Sequence, residues 1–158
     1  MKYIRIVLWT VTITIMTVIF LFSDQPAPQS DEISRGITVR ITEAIPYVQE
    51  LPEDEKETVV KNVNNTIRKA AHFMLYFLLG IVLILSIKYT FLNITAYKLW
   101  IISLIVCIVY AISDEIHQIF VDGRGAQIQD IIIDSLGAML GSALPLFLRT
   151  YIKKHGSS

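Results

Sequence analysis

Four long apolar stretches, Ile4–Phe22, Ala70–Ile87, Leu99 to about Val121 and Ile131–Leu148, limit what this chain can fold into. A helix needs about 20 apolar residues to cross roughly 30 Å of hydrocarbon, and each stretch is close to that length. The first is preceded by Lys2 and Arg5, as in a secretory signal, but its apolar region is long and "FLFSDQP" offers no small-residue cleavage site. It is expected to be a retained span. With 53% hydrophobic and 18% charged residues, the composition also favours a membrane protein over a soluble domain. The expected fold class is therefore all-α: an integral membrane four-helix bundle in a single domain over residues 1–158.

Charge placement sets an expected orientation. Lys2, Arg5, Lys88, Lys98, Arg149, Lys153 and Lys154 fall on one side, which places both termini in the cytoplasm. The opposite, extracytoplasmic side receives residues 122–130 and the long loop 23–69. That loop carries Asp24, Asp31, Glu32, Glu43, Glu50, Glu53, Asp54, Glu55 and Glu57. The acidic run reads as a solvated helix face. Ile33, Ile37, Ile41, Ile45 and Val48 recur at helical spacing, so an amphipathic helix is expected there, broken at Pro46. It either lies in the outer membrane interface or covers the bundle. A further helix start is expected at "LPEDEKE", with Val59, Val60, Val63 and Ile67 as its apolar face.

The ionisable residues inside the apolar stretches carry the functional reading. In "IRKAAHFMLYF", Arg68, His72 and Tyr76 share a helical face beside Lys69. In "YAISDEIHQIF", Tyr110, Asp114 and His117 share one face and Glu115 and Gln118 an adjacent one. In "QDIIIDSLGAMLG", Asp130 and Asp134 stand one turn apart. Asp114 is fourteen residues from Trp100, His72 sixteen from Lys88 and Asp134 fifteen from Arg149. At about 1.5 Å per residue, each lies roughly 21–24 Å from the inner anchors. The expectation is one polar pocket, built by spans two to four and open outwards. Asp114 and Glu115 near a helix C-terminus, and Arg68 and Lys69 near a helix N-terminus, each oppose the helix dipole by about 0.3–1 kcal/mol. Pairing of Arg68, Lys69 or Arg124 with Asp114 or Glu115 would relieve both, and is expected.

Together "RKAAHFMLYFLLG" and "SDEIHQIFVDGRGAQIQDIIIDSLGAMLG" resemble the VanZ-like family of small bacterial membrane proteins, and the "FLFSDQP" exit fits as well. One departure is Asp122, where many members carry Pro before "GR". The resemblance carries over Arg68, Lys69, His72, Tyr76, Asp114, Glu115, His117, Gln118, Arg124 and Asp130. It implies a bacterial cell membrane location and a link to the cell envelope. The family's namesake is associated with reduced susceptibility to the glycopeptide antibiotic teicoplanin.

Three roles are compatible with these residues. In the first, the polar cluster merely staples the bundle, although buried ion pairs are weak evidence for stability. In the second, the pocket binds a lipid-linked cell-wall precursor or related ligand through Arg68, Lys69, Tyr76, Gln118, Arg124, Asp130 and Asp134, with arginine suited to phosphate. In the third, the protein is a membrane-embedded hydrolase or transferase on such a lipid, with His117 or His72 as base and Asp114 or Glu115 orienting it. Asp114, Glu115, His72, His117, Asp130 and Asp134 contain enough ligands for a divalent metal, but no H-E-x-x-H helix is present and no metal site or cofactor is assigned. "DGRG" reads as a tight turn rather than a phosphate cradle. A transporter of four short spans without repeats fits poorly.

The zero formal net charge gives no support for nucleic-acid binding. Cys107, the only cysteine, reads as a small core residue, Trp9 and Trp100 as membrane or packing anchors, and His155 as a solvated tail. Gly137 and Gly141 form a G-x-x-x-G, suited to close packing within the bundle or to an oligomer contact between copies.

Overall fold

A computed structural model describes residues 2–155, without the side chains of residues 27–33, 154 and 155. The expectations for Asp31, Glu32, Ile33, Lys154 and His155 concern side chains outside those described. The helices are α1 (Lys2–Ser23), α2 (Ala27–Glu43), α3 (Pro46–Gln49), α4 (Glu53–Thr90), α5 (Ala96–Gln118) and α6 (Ile128–His155). No strand occurs among the described residues. Four of them, α1, α4, α5 and α6, are long and apolar enough to cross a membrane. The fold is thus the all-α bundle that the apolar stretches predict, with α2 and α3 as the additional helices of the long loop.

Side-chain contacts fix the helix directions. The Trp9 indole N–H donates to Thr90 Oγ1 at 2.9 Å, which sets the start of α1 beside the end of α4. Deeper in, the buried Thr12 and Ser86 hydroxyls share a hydrogen bond of 2.9 Å. At the opposite end, Ser23 meets Asp114, so α1 and α5 run parallel. His72 faces Asp134, and α4 and α6 likewise run parallel.

At the α4–α6 seam the two helix backbones approach closely. A Cβ at Gly137 would strike the backbone of Phe73, and one at Gly141 the backbone of Phe77. From the other side, a Cβ at Gly80 would stand 2.5 Å from the Ala138 carbonyl oxygen. The G-x-x-x-G face is therefore occupied by α4 of the same chain, and packs within the bundle rather than presenting itself to a second copy. Small residues suit such a seam, because helices in lipid associate through van der Waals contact at close range. Around it, Tyr76, Leu79, Leu83, Ile84 and Ile87 of α4 are buried with Ile19, Leu99, Cys107, Ala111 and Ala138. Val7, Ile13, Ile105, Val109, Ile132 and Leu140 point outwards, as side chains facing lipid would.

Two helices depart from the sequence expectation. The helix beginning after Pro52 and the second span are one continuous α4 of 38 residues, about 57 Å long. The third span ends at Gln118 instead of Val121. Residues 119–121 form turn-type hydrogen bonds, with Phe120 N–H donating to His117 O at 2.9 Å. Helix α2 forms and ends before Pro46, but the face it packs on α4 is hydroxylic. Ser34, Thr38 and Thr42 are buried, and Thr38 Oγ1 donates to Asn64 Oδ1 at 3.1 Å. Ile37, Ile41 and Ile45 remain exposed. The helix thus both covers the bundle and keeps an apolar stripe free on its outer side.

Candidate functional site

The turn after α5 brings the polar residues of three helices together. Arg124 N–H donates to Val121 O at 3.1 Å and Gly123 adopts a positive φ of 74°, so "DGRG" is the tight turn expected of it. The chain then folds back into α6, whose first turn carries Asp130, with Asp134 one turn further on. Both acids sit near a helix N-terminus, where the dipole favours them.

The acids of α5 are held differently from the expected ion pairs. Asp114 Oδ2 accepts the Ser23 hydroxyl at 2.7 Å and the Gln118 amide at 3.4 Å. Gln118 also donates to Ser23 Oγ at 3.2 Å. Glu115 Oε2 accepts the backbone N–H of Gln127 at 2.7 Å. Arg68, Lys69 and Arg124 form no ion pair with Asp114 or Glu115. The physical reason is burial: Asp114 and Glu115 lie inside the helix bundle, 4% and 1% exposed, whereas the three cations are half-buried and line the polar cavity. Lys69 instead pairs with Asp130 at 3.1 Å and reaches Gln129 Oε1 at 3.3 Å, while Arg124 donates to Phe22 O at 3.2 Å.

His117 also departs from the expected cluster. Its Nε2 lies 3.1 Å from Asp24 Oδ1 and its ring stacks on Phe20, 4.7 Å between centroids. Three residues after Asp114 the helix has turned about 300°, which is enough to aim His117 at α1 instead of α4. Asp114 and Glu115 therefore do not orient it. His72, in contrast, faces inwards, with Nδ1 3.7 Å from Asp134 Oδ2. Tyr76 is fully buried one turn deeper, with its ring 6.1 Å from that of Tyr110.

Two adjoining hollows open beside these residues. A polar cavity of about 150 Å³ is lined by Asn65, Arg68, Lys69, His72, Gln118, Arg124, Gln127, Asp130, Ile133 and Asp134. An apolar groove of about 270 Å³ runs from it along Phe22, Ile37, Ile67, Ala71 and Leu75. Arg68, His72 and Arg124 belong to both. Seven of the eleven expected site residues line the polar cavity; Asp114 stands behind it, and Tyr76, Glu115 and His117 lie off it. A wider groove of about 700 Å³ between α2, α3 and α4 is more open and gathers no such set of convergent buried groups.

Ser23, Asp24 and Gln127 were not among the expected site residues. Span one contributes to a site expected from spans two to four alone. The available signal was Ser-Asp at the end of an apolar run, in the "FLFSDQP" exit.

Parallel helices closed around a polar cavity, with an apolar groove entering it, define a multi-pass membrane protein with a buried polar site. The sequence pattern of the VanZ/LLP1 family matches residues 8–149, and the chain belongs to that family. No curated protein and no solved structure matches it.

Proposed function

We propose that the protein recognises a lipid-linked ligand of the cell envelope that carries a phosphate or a similar anion. The observation behind this reading is the sharing of Arg68, His72 and Arg124 between a polar cavity and an apolar groove. An amphiphile needs both environments side by side. The cavity is smaller than a typical drug-sized pocket and suits a head group, while the groove takes part of a chain. Arginine presents a planar fork of donors matched to phosphate oxygens, and Lys69 adds a point charge at the rim. The excess of lysine and arginine at the other end of the bundle supports an extracytoplasmic cavity, with both termini cytoplasmic. In a bacterial envelope the ligand class includes undecaprenyl phosphates and lipid-linked cell-wall precursors. Masking such a precursor would lower susceptibility to a glycopeptide such as teicoplanin.

Lipids retained by the purified protein, and binding of undecaprenyl phosphate against phosphatidylglycerol in nanodiscs, test this reading. A charge-assisted hydrogen bond contributes about 1.5–3 kcal/mol, so Arg68→Ala or Arg124→Ala should weaken binding roughly 10- to 150-fold. Equal binding by wild type and both variants would overturn it.

A second reading, a hydrolase or transferase acting on the same lipid, draws on His72 standing beside the buried Asp134 at 3.7 Å. His72 would then act as the general base and Asp134 orient it. Turnover of a lipid-linked pyrophosphate at saturating lipid that disappears in His72→Gln would favour this reading. Absence of turnover in the wild type would remove it.

A further inference from the structure

Most acids around the cavity have a partner. Asp130 is paired with Lys69, Asp24 with His117, and Glu115 accepts the Gln127 backbone. Three further groups stand together on three different helices, His72 of α4, Asp114 of α5 and Asp134 of α6, with His72 Nδ1 and Asp134 Oδ2 3.7 Å apart. A ring nitrogen of His72 and one carboxylate oxygen from each aspartate all lie within 4.8 Å of one another.

Several buried polar atoms here lack a hydrogen-bond partner, the Tyr76 hydroxyl and Glu115 Oε1 among them. Asp134 is 0% exposed, and neither of its carboxylate oxygens has a hydrogen-bond partner. Asp114 Oδ1 and His72 Nδ1 are likewise buried without one. The other oxygen of Asp114 is fixed by Ser23 and Gln118, so the carboxylate is held with Oδ1 left over. Buried carboxylates are costly unless a donor or cation meets them. Here the unmet atoms of His72, Asp114 and Asp134 converge on one another.

We infer that His72, Asp114 and Asp134 form a site for one divalent cation of the Zn²⁺ or Mn²⁺ class. One imidazole nitrogen with two carboxylate oxygens suits these ions, imidazole favouring zinc and oxygen ligands favouring manganese. Bonds of about 2.0–2.2 Å require the donors to draw in modestly from their present spacing. Small rotations of three side chains on fixed helices supply that. Ser23 and Gln118 act as the outer partners that orient a ligating carboxylate, a role such groups commonly fill at metal centres. Three protein ligands leave coordination positions open, and the cavity wall supplied by His72 and Asp134 is where they would face. The inference does not depend on the lipid reading, since the three donors and their unmet atoms are independent of what fills the groove.

The test uses the full chain, purified with a tag that lacks histidine, stripped with chelator and dialysed against Zn²⁺ or Mn²⁺ alone. Elemental analysis should find about one ion per chain at micromolar metal. Asp134→Asn and His72→Gln should each weaken binding by at least about tenfold, the lower end of what even outer-partner changes cause. Pulsed electron paramagnetic resonance on the Mn²⁺-loaded wild type should show coupling to a histidine nitrogen. That coupling should persist in His117→Gln/His155→Gln. This spectrum decides the matter even where Asp134→Asn fails to fold. No metal uptake by the wild type, uptake unchanged in both ligand variants, or no histidine coupling would each overturn the inference.

Discussion

Gly141→Ala adds a single methyl group where α6 crosses α4. The new Cβ would meet the Phe77 carbonyl oxygen, with the Phe77 Cα at 3.0 Å. Both obstacles are helix backbone, which cannot rotate aside like a flexible side chain. Relief therefore requires the two helices to part, until the contact reaches an ordinary separation of about 3.5 Å or more. Parting would also loosen the Gly80 and Gly137 crossings of the same seam. Overpacking of this kind costs about 1–3 kcal/mol, whereas alanine in a helix gains roughly 0.8–1 kcal/mol over glycine. Because the obstacles are backbone the upper end applies, and the net expectation is a loss of about 2 kcal/mol. Gly36→Ala in α2 is the matched control, because a Cβ there meets nothing within 4 Å. It should keep the propensity gain and be neutral or stabilising. Reversible unfolding in mixed micelles, followed by circular dichroism, reads both. A Gly141→Ala protein as stable as the wild type, or a Gly36→Ala protein equally damaged, would refute the packing argument.

Ser23→Ala removes the hydroxyl that donates to Asp114, and should cost about 1–3 kcal/mol in the same assay. Ser113→Ala, whose exposed hydroxyl donates to the Tyr110 carbonyl of its own helix, should fall within about 0.5 kcal/mol of the wild type. His117→Ala should lower stability by less than about 1 kcal/mol and leave lipid binding unchanged, because its pair with Asp24 is partly exposed and away from the cavity. A large loss of binding in that variant would return His117 to the site. In nanodiscs, a spin label at Ile41→Cys should be relaxed by oxygen and one at Arg40→Cys by a water-soluble nickel chelate, both in a Cys107→Ala background. The reverse pattern would show that the exposed isoleucine stripe of α2 does not meet lipid.

The four spans were legible because crossing a bilayer demands an apolar run of a known length, and few other folds use such runs. Their ends were less so. Ile119, Phe120 and Val121 are apolar enough to extend a span, yet the chain leaves the helix there to make the turn that returns Arg124. The continuity of α4 was hidden by its charges, which end the apolar run but not the helix. No proline or glycine interrupts the chain between Pro52 and Gly80. In α2 the isoleucine pattern revealed the helix but not which face meets α4, since a Ser/Thr face can pack through hydrogen bonds. The convergence of His72, Asp114 and Asp134 could be anticipated from matched depth along three helices. Their partners could not. Ion pairing was expected from dipole and charge arguments, but those arguments contain no information on how far each group is buried.

The parallel pairing of α4 with α6 also has a consequence for the order of assembly. Parallel neighbours cannot be consecutive spans, so the second span must wait while the chain crosses back through α5. Until the last span enters the bilayer, Phe73, Phe77 and Gly80 face lipid or a temporary partner, and His72 lacks Asp134. A chain cut short before α6 would thus possess three spans and most of its arginines, but neither its seam nor its finished cavity. Closure of the cavity therefore reports that α6 has docked against α4.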